Sequence, residues 1–130
     1  MKSIFCLNWS SSERNIVTCS NDLTVKYTSI SPNFDSHQTS IIGKHDSCVR
    51  MVKFSPSQNK IISSGDDSTI KLWDIGKSNK AASLRSHSGS VSAFKIHNDN
   101  ELFSVSKDQT IKRWDLRTNQ NVSTSKHQES

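Results

Sequence analysis

The sequence predicts an all-β chain assembled from three copies of one antiparallel unit, and two observations carry that prediction. The first is the stretch 61–75, IISSGDDSTIKLWDI, which reads as two short strands around a tight turn. Ile61, Ile62, Ile70 and Leu72 supply β-branched and apolar bulk, and Gly65-Asp66-Asp67-Ser68 supplies the turn chemistry. The second is its recurrence, as ELFSVSKDQTIKRWDL at 101–116 and more weakly as NIVTCSNDLTVKYTSI at 15–30. Ser63, Asp67 and Trp73 return as Ser104, Asp108 and Trp114, each 41 residues later. Thr18 and Asp22 stand 45 residues before Ser63 and Asp67, but Thr28 replaces the tryptophan. A fixed period near forty, closed by a Trp-Asp pair, marks a repeat architecture.

Each unit opens on a strand that precedes this hairpin. In the first unit it is SIFCLNWS at 3–10, parallel in pattern to VRMVKFS at 49–55 and VSAFKIH at 91–97. Residues 17–19 and 23–27 are the next two strands, around the Asn21-Asp22 turn. Residues 31–38 are polar, contain Pro32 and show no periodicity, so the extra length of this repeat is expected there as loop, before a last strand at 39–42. In the second unit, 49–54 runs into the turn cluster SPSQN at 55–59, where Pro56 ends the strand because it cannot donate to a ladder. Its last strand is expected at 81–84. The third unit repeats the order at 91–96, 102–105 and 110–116, with a weakly apolar last strand near 121–125. Trp9 and Phe54 occupy matching first-strand positions, which predicts core packing for both. Arg113 stands where Leu72 stands, so its guanidinium must reach an edge or find a partner.

Composition narrows the function classes. Hydrophobic residues make up 32% of the 130, and mean hydropathy is −0.64, low for a compact core. The formal charge is +5, but the lysines are scattered over turns and strand faces, with neither a basic run nor an aromatic stacking module. That argues against nucleic-acid binding. The apolar run near the amino terminus is only residues 4–7, too short for a signal peptide, and no stretch approaches a membrane span. Cys6, Cys19 and Cys48 are odd in number and lie in or beside expected strands. They read as small apolar side chains in a reducing compartment, cytoplasmic or nuclear, rather than as a disulfide or metal framework. His37 and His97 have no ligand spacing around them, so no metal or other cofactor is expected.

The His45…Trp73-Asp74 and His87…Trp114-Asp115 units resemble WD repeats, the four-stranded blades of a β-propeller; the resemblance spans nearly the whole chain. It implies three four-stranded antiparallel blades at about 3–43, 44–85 and 86–126, with a next repeat starting at His127, hence an incomplete ring, since a closed propeller needs at least four blades. It also implies a hydrogen-bonded chain inside each blade, made by His45, Ser63, Asp67 and Trp73, by His87, Ser104, Asp108 and Trp114, and in reduced form by Thr18 and Asp22. The residue types suit that role, because a buried carboxylate can accept from a histidine and from backbone N–H groups, and a buried indole N–H needs an acceptor. A hydrolase triad is disfavoured: the set recurs, whereas a catalytic site is needed once, and Ser63 sits in IISSG rather than a Gly-x-Ser-x-Gly elbow.

The resemblance therefore implies a non-catalytic protein-interaction scaffold whose partner surface is the turn loops around Asn21, Asp66 and Lys107. Its expected partners are other proteins, together with further WD repeats or a second copy of the chain to complete the ring. A narrower alternative is a substrate receptor of a cullin-type ubiquitin ligase. LFSVSKDQTIKRWDLR at 102–117 resembles the box by which some WD-repeat proteins dock to that ligase's adaptor, through Trp114, Asp115 and Arg117, although Val105 replaces the usual small residue.

Overall fold

The computed structural model describes residues 4–12, 14–33, 35–57, 60–74, 81–85 and 87–126, and at 4, 5 and 81 the backbone alone. Twelve strands are formed by the described residues: β1 (Ile4–Trp9), β2 (Asn15–Ser20), β3 (Thr24–Ile30), β4 (His37–Lys44), β5 (Val49–Phe54), β6 (Lys60–Gly65), β7 (Thr69–Asp74), β8 (Ala81–Arg85), β9 (Val91–Asn98), β10 (Glu101–Ser106), β11 (Thr110–Asp115) and β12 (Gln120–Lys126). They make three four-stranded antiparallel meanders, β1 to β4, β5 to β8 and β9 to β12, which stay three separate sheets in an unclosed array. Among the described residues no helix is long and apolar enough to cross a membrane.

The hairpin between the second and third strand of each unit has the same build. In β6–β7 the Ser68 N–H donates to Gly65 O at 3.3 Å, and in β10–β11 the Gln109 N–H donates to Ser106 O at 3.1 Å. Leu23, Ser68 and Gln109 then take left-handed φ values of 74°, 70° and 68°. A turn followed by one left-handed residue is the three-residue hairpin connection. Glycine normally fills that position, so all three units carry local strain there.

Burial is concentrated between sheets rather than within them. Val17, Cys19 and Val25 of the first unit pack against Val49, Val52, Phe54, Ile61 and Trp73 of the second. The Tyr27 ring meets Phe54 edge-on at 6.4 Å. Ile62, Ile70, Leu72 and Leu84, on the other face of the second unit, pack against Val91, Phe94, Leu102 and Trp114 of the third. Polar groups tie the same seams: Asn8 Oδ1 accepts from the Phe54 N–H at 3.0 Å.

Two local expectations change. Trp9 is not core: it is 46% exposed and Leu7 54%, whereas Phe54 is buried. Residues 7 and 9 lie on the face of the first unit turned away from the second, while their counterparts Val52 and Phe54 face into a seam. The last strand of the first unit begins at His37, inside the stretch expected as loop, pairing Ile30 with His37 and Ser29 with Gln38. Its polar side chains are exposed, as an end strand permits, since only its backbone has to pair. Arg113 reaches Glu101, with Nη2 donating to Oε1 at 2.7 Å. It shares an open face of the third unit with half-exposed Phe103, Val105, Ile111 and Val122. His127, expected to start a next repeat, lies outside the described residues.

Candidate functional site

The repeated polar residues converge at the turn end of the second and third units. In the second, the Trp73 indole N–H donates to Ser63 Oγ at 3.0 Å, and Ser63 Oγ is 2.7 Å from His45 Nε2. His45 Nδ1 lies 2.9 Å from Asp67 Oδ2. The carboxylate can only accept, so Nδ1 carries the proton and Nε2 accepts from the serine hydroxyl. The third unit repeats the chain through Trp114, Ser104, His87 and Asp108 at 2.8, 2.7 and 2.8 Å. Each carboxylate also takes the N–H of the residue after the histidine: Asp46 N–H at 2.9 Å and Ser88 N–H at 3.0 Å. One loop is thereby tied to the next hairpin and to the blade's middle strands.

Two threonines that are not part of the expected set belong to this network. Thr69 donates its N–H and hydroxyl to Asp67 Oδ1 at 3.1 and 2.7 Å, and Thr110 likewise serves Asp108. Their signal was the repeated Asp-x-Thr at 22–24, 67–69 and 108–110. In the first unit Asp22 bonds Thr24 in the same way and pairs with Lys26 at 3.5 Å. Among the described residues the Thr18 side chain makes no bond to Asp22, so these two are not brought together. Thr28, at the tryptophan position, bonds Thr39 across the strands at 2.8 Å.

Electrostatics follow from this bonding. Burial pushes the His45 pKa down and outweighs the pull of Asp67, which favours the neutral ring. Burial alone would raise Asp67 and Asp108, but hydrogen bonds from Thr69 and the Asp46 N–H, and from Thr110 and His87, hold both below the ordinary carboxylate range. Asp22 is held low by the Thr24 hydroxyl first and then by Ser20. In every case the unfolded chain binds more protons than the folded one, so stability falls as pH falls. The His45 contribution is complete above its unfolded pKa, about 6.5, and declines below it; the aspartate contributions are complete above about 4 and are lost below that. Urea unfolding midpoints recorded from pH 8 to pH 3 should therefore drop first below pH ~6.5 and more steeply below ~4. A midpoint that rises between pH 7 and pH 5 would contradict the neutral buried histidine.

The chain Asp–His–Ser has the connectivity of a hydrolytic triad, twice over, but neither serine is accessible. Ser63 and Ser104 are both fully buried, and each hydroxyl accepts from an indole N–H. Among the described residues no group of three or more His, Cys, Asp or Glu could hold a metal ion.

The turn residues differ from one another. Asp66 is engaged: Arg50 Nε donates to Oδ1 at 2.9 Å, Arg50 Nη2 reaches Oδ2, and the Ser90 hydroxyl also donates to Oδ1. It clasps the second unit to the third, and the Arg50 hydrogen bonds are the first cause of its lowered pKa. Lys107 is exposed, and its N–H donates to Ser90 O at 2.9 Å. Asn21 is half-buried in the first turn. At the opposite end of β11, Asp115 Oδ1 accepts from the Arg117 N–H at 2.9 Å, and the Arg117 side chain is 71% exposed.

Residues 2–27, 32–74 and 78–115 match the family model described as WD domain, G-beta repeat. The chain belongs to the WD-repeat family. Among similar proteins, restriction of telomere capping protein 1 from Candida tropicalis is 33% identical over 72 residues, covering 55% of this chain and 6% of that protein. Nuclear distribution protein nudF from Aspergillus flavus is 32% identical over 60 residues, 46% of this chain and 13% of the relative. Polyadenylation factor subunit 2 from Candida albicans is 33% identical over 81 residues, 62% of this chain and 14% of the relative. The chain thus spans a small fraction of the length of these relatives. The three sheets are accordingly WD-repeat blades, an architecture that supports a protein-interaction scaffold.

Proposed function

We propose that this chain is a non-catalytic interaction platform for other proteins, working in the cytoplasm or nucleus as an arc of a larger propeller. The observation that carries the non-catalytic part is the sealed, repeated Asp–His–Ser–Trp chain: its hydrogen-bonding capacity is spent holding loops in place. That leaves the turn loops as a rigid display surface, with Asn21 and Lys107 the variable contacts and Asp66 presenting an ordered ion pair rather than a lone charge. Neither nucleic acid nor membrane belongs to this proposal. The experiment is affinity capture with the wild-type chain and with Asn21→Ala/Lys107→Glu. A partner held by the first and lost from the second, with unchanged circular dichroism, is the expected result; identical capture profiles would overturn the assignment of this surface.

The ring is completed by further WD repeats rather than by a second copy. Apolar side chains stand exposed on both open faces, Leu7 and Trp9 on one and Phe103, Val105, Ile111 and Val122 on the other. The isolated chain should therefore self-associate without a fixed size in sedimentation, whereas a discrete dimer would point to a six-bladed ring of two chains.

One observation favours the ligase-receptor alternative. Arg117 projects into solvent at the end of β11 far from the histidine loops, where an adaptor could reach it together with Asp115. Arg117→Ala should then abolish capture of the ligase adaptor without altering the melting temperature. Failure of the wild-type chain to retain the adaptor would end this alternative.

A further inference from the structure

We propose that Cys6 and Cys19 form an oxidisable cross-strand dithiol, a site at which mild peroxide converts two thiols into a disulfide inside the first blade. The two residues are direct partners across β1 and β2. Direct partners in an antiparallel pair point to the same face with Cα atoms about 4.5 or about 5.5 Å apart. Both separations fall within the span of about 4.4–6.8 Å that a disulfide bridges. Their Cβ atoms, about 4.5–5.5 Å apart in such pairs, need only a small contraction to reach disulfide geometry. β1 can yield there, because its register shifts between Ile4 and Cys6.

The surroundings distinguish the two thiols. Cys19 is 1% exposed in the seam between the first and second blades. Cys6 packs against the same cluster but is half-buried, with Sγ 3.8 Å from Val52 O. Burial, then the adjacent Cys6, pushes the Cys19 thiol up to about 12, so Cys19 stays protonated and inert to direct attack by oxidant. Cys6 is thus the first to react. Its thiolate takes one oxygen from hydrogen peroxide, and the other leaves as water. The Cys19 sulfur then attacks the Cys6 sulfenic sulfur, the S–S bond forms, the S–O bond breaks, and hydroxide departs with the Cys19 proton as a second water. Two thiols and one peroxide yield one disulfide and two waters. Cys48 precedes β5 on a separate loop, where its carbonyl accepts the Asp66 N–H, and serves as an internal control.

The test is hydrogen peroxide treatment of the full chain in native buffer, alkylation of remaining thiols, and tryptic mapping without reductant. Cleavage after Lys2, Arg14 and Lys26 places Cys6 in peptide 3–14 and Cys19 in 15–26, while Cys48 falls in 45–50. The expected product is a linked pair 3–14 with 15–26, undiminished in Cys48→Ser and abolished by dithiothreitol. Its formation should quicken with rising pH, because thiolate and not thiol takes oxygen from peroxide and attacks the sulfenic sulfur. A chain whose Cys6 is overoxidised without linkage, a link involving Cys48 in place of the pair, or a link that forms only in urea would overturn the proposal.

Discussion

Asp67→Ala should destabilise the chain by about 2–3 kcal/mol, and Asp22→Ala by distinctly less. Asp67 accepts from four donors: His45 Nδ1, the Asp46 N–H, and the N–H and hydroxyl of Thr69. Removing it leaves the fully buried His45 Nδ1–H with only the Thr69 hydroxyl, at 3.3 Å, as acceptor among the described residues, and a buried donor that loses its good partner costs about 1–3 kcal/mol. The loss then spreads along the chain, because His45 orients Ser63, and Ser63 receives the Trp73 indole. Among the described residues Asp22 holds only its local turn, through Thr24 and a partly exposed pair with Lys26, a type of ion pair worth little. Urea unfolding of both variants measures the difference. Equal shifts would show that the hairpin turn, and not the complete histidine–serine–tryptophan chain, is the stabilising unit.

How much of this was legible in sequence follows from what each feature depends on. The hairpins could be read because Gly65-Asp66-Asp67-Ser68 and its counterparts carry turn chemistry within a few residues. The polar chain could be placed because Ser63, Asp67 and Trp73 recur as Ser104, Asp108 and Trp114, and the resemblance to WD repeats joins them to His45 and His87. Features that depend on two blades at once had no such signal. The Asp66 clasp joins Arg50 of β5 to Ser90 before β9, and the counterparts of Asp66 in the other units are Asn21 and Lys107, so the repeat does not announce it. Trp9 matched Phe54 in position and pattern, yet burial at that position requires a neighbouring sheet on that face. The first residues of β4 carry polar side chains that suggest loop, whereas an end strand is defined by backbone pairing with β3. Left-handed backbone at Leu23 was equally invisible, since leucine is a poor marker for it.

Gly43→Ala should cost about 2–4 kcal/mol, combining an overpacking penalty of about 1–3 with a lost hydrogen bond of about 1. A methyl group there would lie 2.2 Å from both Cη2 and Cζ3 of Trp73. The ring cannot simply swing aside. It is 5% exposed within the seam between the first two blades, its N–H is committed to Ser63, and the Lys71 ammonium sits 5.8 Å from its centroid. Displacing it would break the indole bond and open the contact with Val17 and Val25. The need for glycine is specific to this tryptophan: two residues before His87, as Gly43 is before His45, stands the exposed Arg85. A double-mutant cycle with Trp73→Leu isolates the effect. Once the ring is gone, adding Ala at 43 should cost less than about 0.5 kcal/mol, a strongly non-additive result. If Gly43→Ala were equally damaging with and without the ring, the requirement would lie in the backbone of β4 and not in its contact with Trp73.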